Sequence, residues 1–262
     1  MNAHVRGVQN TWHEYLMEAG CLGIFMLSAC LVTALLSSPD ALVYIAHPFW
    51  RTAGIGLAMG ATLLFVVHTP WGKQSGAHMN PAVTLTFLSL GKITPARAAG
   101  YIAGQFVGGI AGVAIAFLVA GNSVMRVNFA VTQPGPGGAG VAFAAEALIS
   151  FLMMTTVLNA SNSRRFSRWT PYFAAVLVAL FITVEAKYSG MSMNPARTVA
   201  SAIAAGQWTA LWVYFAAPVL GMMLAAALYR LGQNSRVYCA KLHHHNDRPC
   251  SFQCNYGELN AQ

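Results

Sequence analysis

The chain has 262 residues, 56% of them hydrophobic and only 8% charged, with a mean hydropathy of +0.52. An ordinary soluble domain carries about 25% charged residues, so a disordered chain and a soluble domain are both excluded and lipid must solvate most of this surface. The net charge of +8 suits a nucleic-acid binder in principle, but the basic residues stand singly between apolar runs, which speaks for membrane topology and against nucleic acid as a partner.

A bilayer-spanning helix needs about 20 mostly apolar residues. Six such stretches lie near 14–36, 52–69, 95–119, 141–160, 170–187 and 208–232. Two further apolar segments, starting at Asn80 and Asn194, are too short to span. The polar start and Glu18 within the first apolar run argue against a cleaved signal peptide. An N-terminus inside the cell places 11 of the 15 Lys and Arg residues on the cytoplasmic side: Arg6, Lys73, Lys92, Arg97, Arg164, Arg165, Arg168, Arg230, Arg236, Lys241 and Arg248. That bias predicts a multi-pass protein of the cell membrane with both termini cytoplasmic.

A Pro/Gly-rich loop, Gln133 to Gly140, divides residues 1–232, read as one domain, into repeats at 12–120 and 139–232. The first repeat reads Glu18, SGAHMNPAVT, then YIAGQFVGG from Tyr101; the second reads Glu146, SGMSMNPART, then YFAAPVLGM from Tyr214. Three spans per repeat is an odd number, so the second copy enters from the opposite side and the repeats are inverted. The short segments then dip inward from opposite faces, and irregular backbone at that depth is tolerated where it lines a water-filled path.

Each short segment opens with a helix-start signature. Asn80 and Asn194 suit the N-cap, Pro81 and Pro195 the first turn, and Ala82 and Ala196 propagate the helix. Back to back at the midplane, the two starts aim positive dipole ends at one spot, and each Asn offers amide N–H groups to the lumen. Such a centre suits a neutral hydrogen-bonding solute, repels cations and opposes proton hopping. A single Asn-Pro-Ala would be no more than a helix start; two at matching places of an inverted repeat argue for a pore.

With these motifs, the paired Glu18 and Glu146, and Gln105 and Pro218 at matching places, residues 12–232 closely resemble the aquaporin, or major intrinsic protein, family. The resemblance implies an all-α membrane protein with six transmembrane helices and two re-entrant half-helices, a pore in each protomer, and a homotetramer. It also implies that Glu18 and Glu146 hold the half-helices in place. The carbonyls of Gly76, Ala77 and His78, and of Gly190, Met191 and Ser192, would form a polar ladder for the solute. The extracellular selectivity filter would comprise Arg197, Met191, Ile182 on the fifth helix, and Met59 or Gly60 on the second. Strict water channels of the family carry His on the fifth helix and an aromatic on the second, and this chain has neither. Glycerol facilitators place Asp after the Arg, where this chain has Thr198.

The expected function is therefore passive conduction of water, with small neutral solutes as further cargo, and exclusion of protons and ions. A glycerol or small-solute facilitator is the alternative and a secondary transporter the more distant one, since a transporter needs a coupling site and the chain lacks an intramembrane cluster of acids beyond Glu18 and Glu146. No nucleophile–base pair or metal triad in the spans suggests an enzyme. Gly56 and Gly60, and Gly100, Gly104 and Gly108, are spaced for close helix crossing.

Of five cysteines, Cys21 and Cys30 lie in an apolar run, and Cys239, Cys250 and Cys254 share the tail with His243, His244 and His245. Such density can bind zinc or copper, but the spacing matches no finger pattern. Residues 233–262 are read as a disordered cytoplasmic tail, with palmitoylated cysteines as a variant, and no metal or cofactor is expected.

Overall fold

The computed structural model describes residues 12–232 and 236–261, so Arg6 of the charge bias and residues 233–235 of the tail lie outside the described residues. The α-helices are, in chain order, α1 (Trp12–Ser37), α2 (Pro48–His68), α3 (Pro70–Ser75), α4 (Pro81–Ser89), α5 (Pro95–Ala120), α6 (Asn122–Arg126), α7 (Gly138–Ser161), α8 (Thr170–Ser189), α9 (Pro195–Ala205), α10 (Leu211–Leu231) and α11 (Tyr256–Ala261). Among the described residues six helices are long and apolar enough to cross a membrane: α1, α2, α5, α7, α8 and α10. Large apolar side chains cover their outer faces, with Leu118 82% and Leu57 70% exposed, which only a lipid or a subunit neighbour can solvate.

The second span begins at Pro48, earlier than hydropathy alone suggests, because Pro at a first helical turn forgoes no hydrogen bond. The sixth begins later, at Leu211, after Ala210 has turned the chain through the left-handed region (φ 49°). At nine residues, α4 rises only about 14 Å, half of a hydrocarbon core, and α9 is two residues longer.

The inverted repeat governs packing. Within the repeats α1 packs on α5 and α7 on α10, while α2 packs on α8 across them. Each half-helix seats against the other repeat, α4 on α10 and α9 on α5. The α1–α5 crossing depends on small residues: a Cβ on Gly108 would collide with the carbonyl of Ala19, and one on Gly104 would lie 2.5 Å from the carbonyl oxygen of Tyr15.

The tail corrects the sequence reading. In place of a disordered segment, residues 236–261 fold back on the bundle end where α1 begins and α10 finishes. Tyr238, Leu242, Phe252, Tyr256 and Leu259 are buried there. The segment is tied to the bundle through Tyr238 N to Asn162 Oδ1 (2.7 Å), Gln253 N to the Lys92 carbonyl (3.1 Å) and Leu242 N to the Gly76 carbonyl (3.2 Å). Arg97 adds a hydrogen bond to the Ser251 carbonyl and a 2.7 Å ion pair with Glu14. The composition of the tail concealed this order, because its apolar residues are few and bury against another part of the chain.

Candidate functional site

The loops ahead of α4 and α9 share one construction. Gly76 and Gly190 turn through the left-handed region (φ 88° and 80°), followed by Ala77 and Met79 in one loop and Met191 and Met193 in the other, all at φ 49–54°. Left-handed backbone at non-glycine residues costs about 1–3 kcal/mol each, so something must hold it. Glu18 does so in the first loop, accepting from Ser75 Oγ (2.7 Å), His78 N (3.0 Å), Met79 N (2.7 Å) and Gln105 Nε2 (2.8 Å). Glu146 does so in the second, accepting from Ser189 Oγ, Ser192 N and Met193 N, each at 2.6 Å. Tyr101 and Tyr214 complete the correspondence by donating to the carbonyls of Ser75 (2.8 Å) and Ser189 (2.6 Å). Gln105 has no counterpart because Pro218 occupies the matching place on α10.

Asn80 and Asn194 cap their half-helices as the motif predicts. Asn80 Oδ1 accepts from Ala82 N at 2.9 Å, and Asn194 Oδ1 from Ala196 N (3.1 Å) and Arg197 N (3.2 Å). Each amide also reaches across the repeat: Asn80 Nδ2 donates to the Met193 carbonyl and Asn194 Nδ2 to the Met79 carbonyl, both at 2.7 Å. An amide has two N–H donors. With the oxygen capped and one N–H spent, each Asn keeps a single donor, so the centre can only donate.

A cavity of about 330 Å³ runs past this pair. Its wall includes both asparagines and Arg197, Met191, Ile182 and Met59 of the expected filter, together with Ala77, His78, Gly190 and Ser192. Gly60 is not on it: a Cβ there would lie 2.7 Å from the Ala175 carbonyl oxygen, so that face of α2 packs on α8 and Met59 is the cavity residue. Pro81, Ala82, Pro195 and Ala196 are buried behind the wall as helix starts. Arg197 is half-buried, and its Nη1 is enclosed without a hydrogen-bond partner among the described residues. Thr198 is engaged elsewhere, bonded to Ser192 Oγ (2.6 Å) and Thr132 Oγ1 (2.8 Å).

The structure adds features the sequence reading missed. Besides Glu18 and Glu146, two more acids are buried in the spans: Glu14 on α1, which pairs with Arg97, and Glu185 on α8, neither of whose carboxylate oxygens has a partner among the described residues. The position of Glu185 inside an apolar run was the available signal. Gly76 lies off the cavity wall, its carbonyl taken by Leu242 N, and Leu242 itself stands on that wall. His78 Nε2 is bonded to the Ala240 carbonyl at 3.0 Å, and its ring stacks on Phe252 at 5.4 Å between centroids. Burial lowers the Lys241 ammonium pKa and pushes His243 down to about 4, so this imidazole of the tail is neutral at pH 7.

The chain is similar to several characterised proteins. Aquaporin-4 of Bos taurus is 33% identical over 181 residues, covering 67% of this chain and 54% of that protein, so the chain spans about half the length of such relatives. A glycerol uptake facilitator protein-like 6 of Lactiplantibacillus plantarum is 34% identical over 223 residues, 83% of this chain and 97% of its own. The X-ray structure of the aquaglyceroporin from Plasmodium falciparum superposes with a TM-score of 0.66 at 20% identity, over 82% of this chain and 94% of that one, which supports the fold. The family model of the major intrinsic proteins matches residues 6–229, and the chain belongs to that family.

Proposed function

We propose that the protein is a passive channel for water in the cell membrane, closed to ions and protons, with both termini cytoplasmic and four copies assembled as a homotetramer. The observation that carries this reading is the reciprocal Asn80–Asn194 arrangement beside the cavity. A site that only donates turns each half of a water file the opposite way, so no continuous chain of hydrogen bonds is available for a hopping proton. Two half-helix N-termini facing each other add a positive potential that disfavours cations. Arg197, on the cavity wall, supplies a second cationic barrier.

Conduction of small polyols as well as water is the second reading. It is favoured by the proposed filter, where Met59, Ile182 and Met191 face a single guanidinium and give a carbon backbone an apolar wall opposite hydroxyl-binding donors. Glu18 and Glu146 spend their oxygens on the loops they hold, with Gln105 of α5 as a further donor to Glu18, and this argues against a proton relay and a coupled transporter. Stopped-flow light scattering of proteoliposomes tests the proposal: rapid shrinkage in sucrose identifies water conduction, and fast reswelling in glycerol identifies polyol conduction. Shrinkage no faster than in protein-free vesicles, from protein shown to be folded, overturns the channel reading.

A further inference from the structure

The tail that folds over the His78 end of the cavity carries its own cluster of soft ligands. Cys239 Sγ, Cys250 Sγ, Cys254 Sγ and a ring nitrogen of His244 all lie within 4.8 Å of one another. Cys239 and Cys250 have their sulfurs 3.4 Å apart, and His244 Nε2 is 3.1 Å from Cys254 Sγ. These are free thiols and not a disulfide, and three of them cannot pair completely. A tetrahedral zinc with bonds of about 2.3 Å to sulfur sets its ligand atoms roughly 3.8 Å apart, within the observed spread. Two backbone amides already point at the sulfurs, Lys241 N at Cys239 Sγ and Tyr256 N at Cys254 Sγ, each at 3.5 Å. Donors of that kind stabilise metal-bound thiolates. The His244 ring is held by stacking on Tyr256, with centroids 3.9 Å apart.

The unit is also one that needs a staple. Residues 236–261 contain little regular structure beyond α11, and a segment so short cannot build a core large enough to order itself. The four ligands come from the two ends of this segment and a turn between them, so one ion would close the whole loop. That loop delivers Leu242 to the cavity wall, the Leu242 N–H to the Gly76 carbonyl, and Phe252 to the His78 ring.

We propose that Cys239, His244, Cys250 and Cys254 bind one thiophilic dication, zinc foremost, and that the bound metal holds the tail as a plug across this end of the pore. The metal site stands independently of the channel reading, whereas the plug rests on it. Loss of zinc then frees the segment from the Gly76 carbonyl and from His78, and the pore gains an open mouth. The spacing, Cys-x4-His-x5-Cys-x3-Cys, differs from that of zinc fingers because the fold that brings the ligands together is completed by the membrane bundle beneath it.

The test uses the full-length chain and a Cys250→Ser/Cys254→Ser variant, each purified without chelator. The expected result is about one zinc per wild-type chain by elemental analysis, lost in the variant. Cobalt exchanged into the wild type should give the intense visible bands of a tetrahedral thiolate site. Metal far below one equivalent, or a Cys239–Cys250 disulfide in freshly purified protein, overturns the site. For the plug, zinc-loaded and zinc-stripped protein are reconstituted in phosphatidylcholine–phosphatidylglycerol vesicles and water flux is compared, with a several-fold rise on stripping expected. Equal flux overturns the plug while leaving the metal site standing. If no flux occurs in either state, the channel reading fails, and trypsin cleavage after buried Lys241 decides whether zinc orders the tail: protection by zinc supports the ordering, and equal cleavage overturns it.

Discussion

The side-chain amide of Asn80 donates to the carbonyl of Met193 at 2.7 Å, and its partner Asn194 makes the equivalent bond to Met79 at the same distance. The two half-helices are therefore joined by the groups that also cap them. Replacing Asn80 with Ala removes the cap, about 1 kcal/mol, and leaves the Met193 carbonyl unpaired, about 1–3 kcal/mol more. Asn194→Ala removes the same pair of interactions and should behave alike. Both variants should show lower water permeability per assembled protein in stopped-flow scattering, and unchanged permeability in both would sink the central role given to the pair.

Glu18 and Glu146 make a second, separable prediction. Truncating Glu18 to Ala strands the donors of Ser75, His78, Met79 and Gln105 at once, and Glu146→Ala strands those of Ser189, Ser192 and Met193. At about 1–3 kcal/mol for each buried donor left unmade, either change should exceed the stability of a marginal membrane fold. The expected outcome is a large fall in the thermal aggregation temperature in detergent, or loss of folded protein. A channel that assembles normally but loses pH-coupled flux would instead mark the pair as a relay.

Legibility in the sequence followed the range of the interactions. The half-helix starts and their caps could be read directly, because each rests on residues next to one another and the repeat states it twice. The loop-holding role of Glu18 and Glu146 came only from the resemblance to the family, since Ser75 and Ser189 stand 57 and 43 positions from them. The second-helix filter position could not be fixed by counting, since one residue turns the helix by about 100° and decides whether Met59 or Gly60 faces the cavity. Gly60 packs on Ala175, which leaves Met59 to face the cavity. The tail was misread for a related reason. His78 and Ala240, bonded at 3.0 Å, are 162 positions apart, and no local pattern announces such a partner.

The crossing of α1 and α5 should be intolerant of bulk. Gly108→Leu forces apart helices whose backbones now touch at Ala19, and the displacement reaches Gln105 and through it Glu18. Overpacking of this kind costs about 1–3 kcal/mol or more. Gly140→Ala is the control, because a Cβ there meets nothing within 4 Å and the backbone lies outside the left-handed region. The thermal aggregation temperature should fall markedly further for Gly108→Leu than for Gly140→Ala, and equal behaviour would show that the small-residue stripe is not what sets the crossing.

The filter assignment yields the last prediction, because Arg197 and Ile182 share the cavity wall yet should act on different properties. Arg197 brings a guanidinium to the cavity wall, so Arg197→Val should weaken the barrier to cations while water flow continues. Ile182→His replaces part of the apolar wall with a polar ring opposite the guanidinium and narrows the passage. A polyol must slide its carbon backbone past that wall, whereas water needs only donors and acceptors, so glycerol flux should fall more than water flux. Parallel stopped-flow measurements in sucrose and in glycerol, with a fluorescent cation-leak assay, read the two effects separately. If the glycerol-to-water ratio and the cation leak are both unmoved, the narrowest point of the pore lies elsewhere, and Met59, Ile182, Met191 and Arg197 line the cavity without setting its selectivity.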